Sequence, residues 1–159
     1  MNLRLLALPL AFVAAPVLAQ AMTPADYVKT AGASDLYERT SSQVVLQTTR
    51  DPRVREFARM MISDHAKSTA DVKAAATRSR VRPMPPMLMP AQAELIAQLR
   101  AEQGPARDAA YVAQQKASHN QALAVQQAYA ADGTAPALRR VAAGIVPVVQ
   151  HHIEMLKTM

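Results

Sequence analysis

Four ionisable residues of this sequence fall where they would face the interior of a helical fold. Glu38, His65, His119 and His152 each lie on the apolar stripe of a different predicted helix. Ionisable groups are rarely buried without a partner, so this distribution predicts one polar cluster inside a four-helix bundle, where bundle proteins hold metals and cofactors. One carboxylate and up to three imidazoles suit a single zinc, iron or copper ion.

The same cluster has a second interpretation that needs no cofactor. In a buried hydrogen-bonded network, Glu38 and Tyr111 would partner the histidines and fix the register of the helices. Tyr111 and Gln115 share the face of His119, and Asp64 is expected on the flank of its helix, either solvated or in contact with a ligand. The sequence leaves both interpretations open.

The elements that must position these residues are predicted to be four long helices and one short one. Thr23-Pro24 and Asp51-Pro52 each combine a capping side chain with a proline at the first helical position. The predicted helices cover residues 24–49, 52–80, 91–101, 106–131 and 136–159. Short turns make two antiparallel hairpins, and the proline-rich stretch 81–90 joins them. This pattern predicts an all-α, ferritin-like antiparallel four-helix bundle with one long crossover and a short extra helix.

The distance of each residue from its turn predicts which side chains can meet. Glu38 and His65 differ by about 3 Å along the bundle axis at about 1.5 Å per residue. His119 and His152 straddle their turn less evenly, with an offset of several ångströms, and Pro147 is expected to kink the last helix. The sequence therefore predicts contact within the first hairpin and leaves contact within the second undecided.

The N-terminus has the layout of a secretory signal peptide. Arg4 precedes an apolar stretch over residues 5–18, and small residues then offer cleavage after residue 19 or 21. The apolar stretch is shorter than the roughly 20 residues that a transmembrane helix needs. We expect export to the periplasm or secretion, with residues 1–21 as signal peptide and 22–159 as the bundle domain, which has no transmembrane segment.

Composition excludes several classes of function. The chain has no cysteine, which excludes thiolate catalysis and cysteine-ligated zinc. Di-iron bundles need a Glu-x-x-His pair on each of two helices, but Ile62 and Val149 stand three residues before His65 and His152. A serine nucleophile elbow and a phosphate-binding glycine loop are also missing. The sequence favours a protein without enzymatic activity.

The net charge of +6 is mild and says little about partners. Nine basic and four acidic residues fall between Arg50 and Arg82, without the interleaved aromatics of a nucleic-acid surface. We expect no nucleic-acid partner. Weak attraction to an anionic membrane surface stays open, and no protein partner is assigned.

The stretch 84–89 carries methionines at Met84, Met87 and Met89 among prolines. Thioethers are soft ligands that favour Cu(I), and an exported compartment is where copper is handled. Methionine also serves as adaptable apolar cover, so packing at the bundle end is the interpretation that we favour.

Two ordered stretches, 31–38 (AGASDLYE) and 54–65 (VREFARMMISDH), resemble the signature of an exported bacterial family known as domain of unknown function 4142. Asp108 with Tyr111, His119, and Pro147 followed by His152 extend the resemblance over nearly the whole mature chain. It implies a ferritin-like bundle in the cell envelope, without an established reaction. Arg107 departs from the aromatic residue usual at its position.

The functional hypothesis that follows is an exported bundle protein that binds one metal ion or acts in envelope stress. The alternative is a structural or interaction module whose buried Glu/His network only fixes helix register.

Overall fold

The computed structural model describes residues 21–159, so the predicted signal peptide lies outside the described residues except for Ala21. The regular structure of this part of the chain is entirely helical. Its five helices are α1 (Pro24–Leu46), α2 (Pro52–Arg78), α3 (Pro90–Ala101), α4 (Gly104–Asp132) and α5 (Pro136–Lys157). The predicted helical bundle with a long crossover and a short extra helix is confirmed.

The two helices of the first hairpin begin with the caps that the sequence predicts. Thr23 Oγ1 accepts a hydrogen bond from the backbone N–H of Asp26 at 3.1 Å, and Asp51 Oδ1 accepts one from that of Arg53 at 2.8 Å. Each cap satisfies a backbone donor that the first turn of a helix leaves free. The first helix ends at Leu46, earlier than predicted, because residues 47–49 turn toward α2.

The crossover after α2 starts with a left-handed residue. Arg80 has φ 57°, and the N–H of Val81 reaches back to the carbonyl of Ala76 at 2.9 Å, which closes the helix end. The chain then passes over α1, where Pro86 packs on Gly32. Met84 and Met87 point into solvent with 70% and 77% of their surface exposed. The packing interpretation is therefore wrong for these two methionines.

Arg107, where the family resemblance predicts an aromatic residue, is buried at the start of α4. Its guanidinium donates to the carbonyl oxygens of Glu102 at 2.7 Å and Val44 at 3.2 Å, and to Thr48 Oγ1 at 3.2 Å. Carbonyls at the C-terminal ends of α1 and α3 carry partial negative charge, so the cation is favourably placed. Arg107 thereby ties together three helix ends.

Two apolar clusters fill the bundle, and the ionisable residues lie between them. One contains Phe57 and Met61, and the other contains Tyr27 and Tyr129, whose rings stack with centroids 3.9 Å apart. Helix α5 continues through Pro147, and the predicted kink there stays a prediction. Within residues 21–159, none of the helices is both long and apolar enough to cross a membrane.

Candidate metal centre

Three histidines from three helices meet at mid-height of the bundle. The ring centroids of His65 on α2, His119 on α4 and His152 on α5 are 5.3–5.9 Å apart in all three pairs. Each offers one ligand atom within 4.8 Å of those of the other two. Their exposed fractions are 6%, 1% and 1%, so the cluster is shielded from solvent. The contact between His119 and His152, which the sequence left undecided, is the closest of the three pairs.

His65 is held by an aspartate on the neighbouring helix. Its Nδ1 atom lies 2.8 Å from Oδ1 of Asp35, a buried residue of α1. The other oxygen of Asp35 accepts a hydrogen bond from Thr69 Oγ1 at 3.0 Å. An ionised carboxylate can only accept, so Nδ1 carries the proton and Nε2 presents its lone pair.

His152 is held in the same way by a more exposed carboxylate. Its Nε2 atom lies 3.0 Å from Oδ2 of Asp64, whose side chain is 36% exposed. The Nε2 atom therefore donates, and Nδ1 is the nitrogen that faces the cluster. Of the two positions expected for Asp64, the structure shows contact with a cluster histidine.

His119 donates to its own helix. Its Nδ1 atom lies 3.0 Å from the carbonyl oxygen of Gln115, one turn earlier in α4. A carbonyl accepts only, so Nε2 of His119 is left with its lone pair. The side-chain amide of Gln115 donates elsewhere, to Ser41 Oγ at 3.2 Å.

The three nitrogens left by these contacts have no hydrogen-bond partner among the described residues. They are Nε2 of His65, Nε2 of His119 and Nδ1 of His152. Metal-ligating histidines usually donate their other ring N–H to a carboxylate or a backbone carbonyl, which fixes the tautomer and the orientation of the ring. All three rings of this cluster have that arrangement.

The size of the cluster fits a transition-metal ion after a small contraction. Zinc–imidazole bonds are about 2.0–2.1 Å long. If the three ligand atoms were all at the 4.8 Å limit, an ion at their centre would lie about 2.8 Å from each. Each ring would then move inward by about 0.7 Å, which small side-chain rotations supply.

Glu38 lies beside the cluster but is not one of the mutually close ligand residues. Its Oε1 atom is 3.8 Å from Nδ1 of His119, the nitrogen that donates to Gln115. Both carboxylate oxygens are buried without a hydrogen-bond partner. Burial raises the pKa of Glu38, and the charge of His65 and the nearby polar side chains of Ser118 and Gln115, which lie outside hydrogen-bond geometry, oppose that rise. The sequence placed Glu38 among the ligands, whereas this geometry places it behind one of them.

Burial and mutual repulsion shift the three imidazoles differently. The pKa of His119 falls to about 4 because of burial and the charge of His65. That of His152 also falls to about 4, mainly through burial. Burial lowers the pKa of His65 as well, but Asp35 and Glu38 together outweigh it and the net shift is upward. Without a metal, any proton in the cluster resides on His65.

Tyr111 does not partner the histidines. Its hydroxyl forms a 2.8 Å hydrogen bond with Ser42 on α1, and its ring packs edge-on against Phe57. Phe57 in turn lies 6.1 Å from His119 and 6.3 Å from His152 between ring centroids. The rings of Tyr111 and Phe57 thus form an apolar surface next to the cluster, which lowers the dielectric constant around the histidines.

Asp35 is the site residue that the sequence reasoning missed. It lies three residues before Glu38 and therefore on the same face of α1, which is the signal that was available. An acidic residue on the stripe next to Glu38 could have been assigned to His65. Thr69, which lies one turn after His65 and donates to Asp35, was also missed.

Solved structures share this fold at low sequence identity. The crystal structure of a DUF305 protein from Streptomyces coelicolor aligns with TM-score 0.70 at 15% identity, covering 84% of this chain and 90% of that one. CopM in its Cu(I)-bound form aligns with TM-score 0.71 at 18% identity, covering 86% and 94%. Its Cu(II)-bound form gives TM-score 0.72 at 15% identity, covering 87% and 96%.

No curated protein matches the chain in sequence. A family model does match, over residues 9–159, and its description is domain of unknown function (DUF4142). The match includes every residue of the histidine cluster and its carboxylate partners, in agreement with the resemblance seen in the sequence. This chain belongs to the DUF4142 family.

Proposed function

We propose that this protein binds one transition-metal ion through His65, His119 and His152, in the cell envelope or outside the cell. The observation that carries the proposal is that each of these three clustered histidines, which offer ligand atoms within 4.8 Å of one another, has one buried ring nitrogen without a hydrogen-bond partner. Neutral imidazoles in this arrangement present three converging lone pairs. A metal ion satisfies all three at once.

The alternative, a network that only fixes helix register, accounts less well for the same atoms. Buried networks stabilise a fold when every polar group is satisfied. Here the three nitrogens and both oxygens of Glu38 lack partners. With all three imidazoles neutral, a single water at the centre has two hydrogens for three lone pairs and would leave one nitrogen unsatisfied; with His65 protonated, the same water accepts from His65 and donates to the other two, so the metal analysis below decides between the two arrangements.

Ligand type and charge narrow the choice of ion. Three imidazoles suit zinc, copper and iron, and a site with three protein ligands keeps a fourth position open. Asp35, Asp64 and Glu38 place negative charge near the three histidines, which favours a divalent cation over a monovalent one. CopM, which shares the fold, was solved in copper-bound forms, so copper is tested beside zinc.

The exported location rests on the predicted signal peptide at residues 1–21. The Streptomyces coelicolor protein that shares the fold is named as a secreted protein. Export and cleavage can be checked by N-terminal sequencing of the protein recovered from the periplasm or medium.

Metal analysis of untagged protein tests the proposal directly. Mature wild-type protein is exposed to Zn²⁺, Cu²⁺, Cu⁺ and Fe²⁺, desalted, and analysed for bound metal. We expect about one ion per chain, and loss of that ion in a His65→Ala/His119→Ala variant. The matched control is His151→Ala, because His151 is an exposed neighbour of the cluster. Wild-type protein that stays empty with every ion would overturn the metal site and favour the register network.

A further inference from the structure

The three histidines are buried, so a metal ion needs a way to reach them. A cleft of about 290 Å³ runs between α2 and α5, and both His65 and His152 line it. The unpartnered nitrogens of these two residues are Nε2 and Nδ1, respectively. The cleft therefore reaches the side chains of two of the three ligand residues from solvent. We propose that this cleft, which Asp64 also lines, is the route by which the ion enters and leaves.

The proposed entry route rests on the proposed metal site. The size of the cleft supports the route. A divalent ion with six waters occupies roughly 180 Å³ at about 30 Å³ per water. The volume of the cleft exceeds that of such a hydrated ion. The cleft is open on the α5 side at Gly144, which has no side chain. A Cβ at that position would meet no atom within 4 Å.

The charges along the cleft favour cation entry. Its lining carries two carboxylates and one ammonium group: Asp71 is paired with Lys67, and Asp64 is in contact with His152, so the net charge is negative. Asp64 is part-exposed, so its carboxylate can meet an incoming ion while still bonded to the imidazole. A carboxylate that contacts both solvent and a ligand can replace waters of the ion one at a time.

A larger cavity on the other side of the bundle serves as the control for the cleft. About 400 Å³ lies between α1, α3 and α4, but none of the three histidines and no oxygen of Glu38 lines it. Ala117 lines this cavity and is exposed, as Gly144 is in the cleft. The same bulky substitution can therefore be made on each side.

The experiment is stopped-flow measurement of Co²⁺ binding and of its release to a chelator. Gly144→Leu narrows the cleft without touching a ligand, so it should slow association and dissociation together, each by about tenfold, and leave the Kd within about threefold. Gly144→Ala should give a smaller slowing. Ala117→Leu should leave both rates unchanged. Leucine is a better helix former than glycine, so the α5 variant should fold, which its thermal unfolding checks.

The outcomes separate the route from the site. Wild-type protein that binds no Co²⁺, Zn²⁺ or copper overturns the metal site and the route together. Binding with unchanged rates in Gly144→Leu, or equal slowing in Ala117→Leu, overturns the route and leaves the metal site standing. A lower affinity with unchanged association shows that the leucine disturbs the ligands, and this also contradicts the proposed route.

Discussion

Asp35 on α1 holds His65 on α2 through a 2.8 Å contact between Oδ1 and Nδ1, and both residues are buried. This pair does two things at once. It links the two helices of the first hairpin at mid-height, and it turns the free nitrogen of His65 toward His119 and His152. The structural role and the ligand role of the pair are therefore not alternatives, because the same contact provides both.

Removing a carboxylate that is hydrogen-bonded to a cluster histidine should weaken metal binding. Asp35→Asn preserves the shape of the side chain but loses the carboxylate that orients and polarises His65. We expect the Kd for the bound ion to rise by about 10- to 100-fold, measured by competition with a chromogenic chelator. Asp64→Asn should have a smaller effect, because Asp64 is part-exposed and its charge is screened by solvent. Asp132→Asn, at the exposed C-terminal end of α4 and 13 residues from His119, is the control; equal affinity in Asp35→Asn and this control would contradict the assignment.

Glu38 should have opposite effects on stability and on metal binding. Its carboxylate is buried without a hydrogen-bond partner and its pKa is raised, so its ionised form opposes folding of the metal-free protein. Glu38→Gln should raise the free energy of unfolding of metal-free protein at pH 8 by about 1 kcal/mol. The same change should weaken binding of a divalent ion by about tenfold, because a nearby negative charge is lost. Chemical denaturation in chelator and metal titration measure the two effects; a loss of both would show that Glu38 is needed for the fold.

Acid should destabilise the metal-free protein through His119 and His152. Their pKa is about 4 in the fold and about 6.5 in the unfolded chain, so the unfolded chain binds more protons between these values. The contribution of these two histidines to stability is then constant above pH 6.5 and falls as the pH drops from 6.5 toward 4, by up to about 3 kcal/mol per histidine.

Glu38 and His65 also change protonation with pH, so the pH experiment must account for both residues. Glu38, whose pKa is raised by burial, adds stability as it takes up a proton on acidification, so Glu38→Gln is the background in which to measure unfolding. His65, with its raised pKa, contributes stability that is complete below pH 6.5 and is lost at higher pH. Adding His119→Asn should reduce the acid-induced loss, whereas His151→Ala should not change it. An unchanged pH profile in His119→Asn would contradict the prediction.

Arg107 should be one of the most sensitive positions outside the metal centre. Arg107→Met keeps an unbranched apolar stem but leaves the carbonyls of Glu102 and Val44 without their donor. We expect a loss of about 2–3 kcal/mol in the free energy of unfolding, measured with urea. Arg59→Met, on an exposed face of α2, should change stability by less than about 0.5 kcal/mol. A similar small change in both variants would show that the buried contacts of Arg107 contribute little.

Much of the fold was predictable because helices are specified locally. Caps at Thr23 and Asp51, the glycine after Asp132 and the proline-rich crossover define the helix ends, and apolar spacing defines which face turns inward. The sequence therefore placed Glu38, His65, His119 and His152 on the buried faces, where the structure has them. Exposure of Met84 and Met87 was not predictable, because it depends on where the crossover passes over α1.

By itself the sequence determined the helices, their inward faces and the family. Only the tertiary structure decided the level at which His119 meets His152, the nitrogen that each ring turns inward, the pairing of Asp35 with His65, and the position of Glu38 behind His119. The reason is physical. Helical periodicity fixes the direction of a side chain to within a face, but metal-ligand geometry depends on tenths of an ångström and on the partner of each ring, and these are set by how the helices pack against one another.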